Sequence, residues 1–167
     1  MDREEPRIIS VGLGELRVSR DPQACLVAHG LGSCVGVCAY DPVAKVGALL
    51  HAMLPEHNGH APPQATKYVD SGIEHMLKEL ADQGAARHRL VLHITGGAQM
   101  LTAPGFKNML NIGARNAEMA KAVLQREGLR LAGSDTGGHW GRTVRLYIKD
   151  GKVTVRSVGR GEQELSL

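Results

Sequence analysis

The chain has 167 residues, of which 43% are hydrophobic, 22% charged and 3% aromatic, and its net charge is +3. That length supports one domain with its own core, and the hydrophobic share excludes a disordered chain. Basic residues are scattered with few aromatics between them, which argues against a nucleic-acid surface, and no apolar run nears the roughly 18 residues needed to cross a bilayer.

The opening MDREEPRIIS lacks the basic flank and apolar block of a signal peptide. A single cytoplasmic domain over 1–167 is therefore expected, with a polar tail from about 160. Three cysteines without a C-x-x-C pair imply reduced thiols, not a disulfide framework or a structural zinc.

β-Branched and apolar runs predict strands at Ile8–Val11, Leu16–Ser19, Leu26–Ala28, Val35–Tyr40 and Val46–Met53. Asp41-Pro42 reads as the turn that pairs the last two as antiparallel neighbours. EHNGHAPP then forms a polar loop, and the period changes. Tyr68, Val69, Ile73, Met76, Leu77 and Leu80 recur at three- and four-residue steps, the buried stripe of a helix over about 64–83 that Gly84 ends.

RLVLHITGG reads as a central strand running into a glycine pair. A second helix spans about Asn111–Glu127, with Asn111 as N-cap and Ile112, Ala120, Val123 and Leu124 inward. A strand at Leu129–Gly133, the loop SDTGGHWGR, and a hairpin turning at Asp150-Gly151 complete the chain. Strands in blocks with helices between them predict mixed sheets with helices packed outside.

Cys34 is the chemical candidate. It lies in HGLGSCVGVCA, where Gly30 and Gly32 permit a tight turn that aims backbone N–H groups at a reacting oxygen. Cys25 and Cys38 lie within apolar runs and read as buried core. His51, in ALLHAMLP, becomes Cys34's partner if the two strands pair about Asp41-Pro42, since the start of one then meets the end of the other. A rival reading makes His51, His57 and His60, with or without Cys34, zinc ligands; the Gly/Pro-rich loop around His57 and His60 and the lack of a carboxylate at helical spacing count against it. GLGSCVG also fails as a dinucleotide fingerprint, having Val35 where the third glycine belongs.

GLGSCVGVCAYDP, GALLHAMLP, KYVDSGIEHMLKEL, ITGGAQM, NIGARN and DTGGHWGR, in that order, resemble the CheD family of chemoreceptor glutamine deamidases, from about Ile8 to Val158. The resemblance implies an α/β fold, a four-layer α/β/β/α sandwich similar to the catalytic domain of the cytotoxic necrotizing factor toxins. It implies a cysteine-dependent hydrolysis of receptor glutamine side chains to glutamate, without metal or cofactor. Cys34 is then the nucleophile and His51 its histidine, with the N–H groups of Gly32, Ser33 and Cys34 as oxyanion donors.

The family commonly has a threonine six residues before the cysteine, and Ala28 stands there in this chain. A backbone carbonyl, first that of Ala28 or a neighbour, is expected to orient His51 instead. The expected partners are the cytoplasmic domain of a chemoreceptor and the CheC phosphatase. The alternative is a catalytically weakened adaptor acting through such complexes. Arg142 and His139 are expected at the rim of the site, facing an acidic receptor helix, and Trp140 either there or in the core.

Overall fold

The computed structural model describes residues 5–57, 64–100 and 111–165. Among these residues ten strands form two mixed sheets. In chain order they are β1 (Arg7–Ser10), β2 (Leu16–Ser19), β3 (Ala24–Leu31), β4 (Val35–Asp41), β5 (Val46–Ala52), β6 (Val91–Gly96), β7 (Leu131–Thr136), β8 (Arg142–Tyr147), β9 (Val153–Ser157) and β10 (Gly161–Glu164). The first sheet runs β1-β3-β8-β9-β10 and the second β2-β5-β4-β6-β7. Each has one parallel pair, β1 with β3 and β6 with β7.

The central strands are buried on both faces, which is why they read as continuous apolar runs rather than alternations. One face of β4 and β5 carries Val35, Val37, Ala39, Ala48, Leu50 and Ala52 against α1 (Val69–Asp82) and α2 (Ile112–Arg126). The other carries Cys38, Tyr40 and Leu49 against Leu26, Val144 and Leu146 of the first sheet. Among the described residues both helices pack on the second sheet, so the expected α/β sandwich of two mixed sheets is present with one helical layer described. Ile73, Met76 and Leu80 of α1 are fully buried, each worth about 1.5–3 kcal/mol of apolar transfer.

Several boundaries differ from the sequence reading, for local reasons. The helix expected from residue 64 starts instead at Val69 after a 3-10 turn at Ala65–Lys67, because Tyr68 bridges to Leu54 and is drawn out straight, while the Lys67 carbonyl accepts from the N–H groups of Met53 and Leu54. Asn111 does precede α2, but without a side-chain capping bond. Ser134, Asp135 and Thr136, expected in a loop, belong to β7, an edge strand whose half-exposed side chains tolerate polar residues. The expected tail also folds in part: β10 pairs antiparallel with β9, and Thr154 donates to Glu162 over 2.6 Å.

Candidate active site

The Asp41 turn fixes the register that matters here. The Asp41 carboxylate accepts from the N–H groups of Val43 and Ala44 at 2.9 and 3.1 Å, and β4 pairs with β5 from Asp41–Val46 through Gly36–His51 to Val35–Ala52. Cys34 is one step beyond that last pair, on the same face as Cys38 and Leu49, and therefore diagonal to His51 in the space between the sheets. Such diagonal neighbours have β-carbons about 7 Å apart, within reach of a thiol and an imidazole. His51 is buried and Cys34 half-buried.

His51 is held by Val11, not by Ala28. Its Nδ1 lies 3.0 Å from the carbonyl oxygen of Val11, one residue past the end of β1 of the opposite sheet. A carbonyl only accepts, so Nδ1 carries the proton and Nε2 is left as a lone pair, without a hydrogen-bond partner among the described residues. Burial holds the His51 pKa below its ordinary value, against smaller opposing effects of the Val11 carbonyl and Glu15. The imidazole is thus neutral near pH 7 and free to take a proton. Ala28 is fully buried and pairs with Val144, so the orienting role expected of its carbonyl passes to Val11.

The chain reaches Cys34 through a bulge. Between Ala28–Val144 and Leu31–Arg142 the register of β3 shifts, and Gly30 takes φ 62°, a left-handed turn open to glycine without strain. The carbonyls of Gly32, Ser33 and Cys34 are then each tied down: Gly32 by the Ala98 N–H at 2.8 Å, Ser33 by the Asn116 side-chain amide at 2.9 Å and Cys34 by the Gly97 N–H at 2.8 Å. In a trans peptide the N–H points opposite to the preceding carbonyl, so fixing the Gly32 and Ser33 carbonyls turns the Ser33 and Cys34 N–H groups to the other side. The Cys34 thiol feels two opposed influences, burial and the N–H of its own residue. Burial raises the Cys34 thiol pKa and that N–H draws it part of the way back, so the resting group is a thiol.

This frame gives the ITGG and DTGG motifs their work. A β-carbon on Gly96 would overlap the Cys34 carbonyl oxygen, and one on Gly97 would come within 2.7 Å of the Gly113 oxygen. Both glycines also have positive φ, 99° and 63°. Arg142, expected at the rim, is instead 2% exposed: it donates to the Gly137 carbonyl at 2.8 Å and faces Asp135 at 3.4 Å, holding the second glycine loop. His139 is exposed, its Nδ1 2.9 Å from the Gln99 carbonyl. Trp140 is half-buried, with the guanidinium groups of Arg160 and Arg142 at 3.7 and 5.3 Å from its ring centre.

The model of the family described as "CheD chemotactic sensory transduction" matches residues 53–157. A protein of Symbiobacterium thermophilum named "Probable chemoreceptor glutamine deamidase CheD" is 48% identical over 163 residues, covering 95% of this chain and 98% of that one. Another, of Thermotoga maritima, named "Chemoreceptor glutamine deamidase CheD", is 45% identical over 153 residues, covering 92% and 94%. The chain belongs to the CheD family. The family model's match begins at Met53, beyond Cys34 and His51, so the case for that pair in this CheD chain is geometric.

Among the described residues no three His, Cys, Asp or Glu side chains converge as metal ligands. His60, part of the zinc reading, lies outside those residues, and the His57 N–H binds Asp70 at 3.3 Å. Asn116 closes the NIGARN run, and a polar residue between helix-spaced apolar positions is the mark it leaves in the sequence.

Proposed function

We propose that this protein hydrolyses glutamine side chains of a chemoreceptor to glutamate, with Cys34 as nucleophile. The observation that carries the reading is a buried imidazole, fixed through Nδ1 and unpartnered at Nε2, diagonal to a half-buried thiol in the same strand pair. His51 Nε2 takes the Cys34 proton as sulfur attacks the carboxamide carbon, and the Ser33 and Cys34 N–H groups receive the developing oxyanion. His51 then returns the proton to the leaving nitrogen, which departs as ammonia and leaves a thioester. Water, deprotonated by the same nitrogen, hydrolyses the thioester to glutamate and the free thiol. No step calls for a metal or an organic cofactor.

The adaptor alternative drew its support from Ala28 in place of threonine. The Val11 carbonyl supplies what that threonine would have, so the substitution gives no ground for a weakened site. Association with a CheC phosphatase is compatible with the enzyme reading and independent of it.

The test is incubation of a receptor cytoplasmic fragment with wild type and with Cys34→Ala, followed by peptide mass spectrometry. A gain of about one dalton at particular glutamines with wild type alone is the expected result, because the thiol is the only proposed nucleophile. Equal conversion by the variant, or none by either, contradicts the reading.

A further inference from the structure

We infer that Asn116 is a positioning residue for the deamidation, fixing the direction of the oxyanion donor at Cys34 with one amide group. Its side chain is fully buried on α2, and Nδ2 donates to the carbonyls of Ser33 at 2.9 Å and Met53 at 3.0 Å. Both partners are carbonyl oxygens, which only accept, so the orientation of the amide is fixed by chemistry.

The two partners stand on opposite strands where the β4–β5 ladder ends. Continuing the register of Gly36–His51 and Val35–Ala52 sets Cys34 across from Met53. Beyond Val35–Ala52 no ladder bond joins the strands, and the Asn116 amide bridges them there. It ties the peptide that enters Cys34 to the end of the strand that carries His51. It also sets the direction of the Cys34 N–H, since that group is antiparallel to the Ser33 carbonyl that Asn116 holds. The Oδ1 of the same amide is buried without a partner among the described residues. A buried, half-satisfied amide is costly in a core, which argues for a role beyond packing.

This inference rests on the reading of Cys34 as nucleophile, and its test separates the two. Full-length Asn116→Asp, nearly isosteric but with no amide hydrogens to donate, and Asn116→Ser are compared with wild type and Cys34→Ala. The measurements are receptor-fragment deamidation, iodoacetamide alkylation of Cys34 and thermal midpoint. Alkylation needs the thiol but no oxyanion donor, so the two reactions should part. We expect kcat to fall about a hundredfold with KM within about twofold of wild type, while Cys34 alkylates within about threefold of the wild-type rate.

A folded N116D or N116S with kcat within about twofold of wild type overturns the inference. So does a parallel loss of alkylation and deamidation, or failure of both variants to fold, since either assigns Asn116 to the core alone. Deamidation surviving in Cys34→Ala would strike down the nucleophile reading and this inference with it. An inactive Cys34→Ala beside a fully active N116D would strike down the inference alone.

Discussion

Three cysteines in one fold differ in environment enough to be told apart in solution. Burial pushes Cys38 up to about 12 and Cys25 to about 11, whereas Cys34 is raised but relieved by its own N–H and is half-exposed. Alkylation at pH 8 followed by peptide mapping should therefore modify Cys34 first, Cys25 and Cys38 only on unfolding; equal rates at the three would contradict the environment described for Cys34. Cys34 was legible because glycines surround it where a core cysteine would have apolar neighbours. The group that orients His51 was not. A backbone carbonyl leaves no mark on residue type, and Val11, 40 positions away, is brought to His51 only when the two sheets close.

Elements were legible where one period dominates. The β4–β5 hairpin, both helical stripes and the hairpin at Gly151 follow from apolar spacing and turn residues. What spacing could not show was the use made of each turn. ITGGA offers backbone donors, but Gly97 and Ala98 spend them on the carbonyls of Cys34 and Gly32, within the frame of the Cys34 segment. Likewise Arg142, a charged residue next to Gly141 and so easily read as rim, is buried to hold a glycine loop. Gly96→Ala should accordingly displace the Cys34 carbonyl and strain a backbone at φ 99°. We expect about 1–3 kcal/mol of lost stability in urea and at least about a tenfold fall in deamidation. Full activity in that variant would show that the strand β6 backing of Cys34 is dispensable.

At the scale of the whole molecule, buried ionisable groups set the response to pH. His51 and His93 are both held below their ordinary values by burial. In the unfolded chain they take up protons below about pH 6.5, while the folded protein resists doing so, so the unfolded state binds more protons and stability falls as pH drops through that value. Asp41 adds a second step. Burial opposes its charge, but Arg89 and the N–H groups of Ala86, Ala44 and Val43 outweigh burial and hold its carboxyl well below the usual range. Its contribution is present above about pH 4 and lost as pH falls further. Urea unfolding followed from pH 8 downward should show the midpoint declining from about pH 6.5 and again below about pH 4; a midpoint flat across the first interval would contradict neutral, buried histidines.

The two-sheet sandwich joins these scales, because its seam brings Val11 of one sheet to His51 of the other and so completes the site beside Cys34. The most direct test of that site is the intact mass of the protein after rapid acid quench in the presence of a receptor fragment. A transient covalent adduct is expected, with the mass of the two proteins less one ammonia, mapping to the peptide that contains Cys34 and absent from Cys34→Ala. Deamidation of the fragment by Cys34→Ala at the wild-type rate would contradict it.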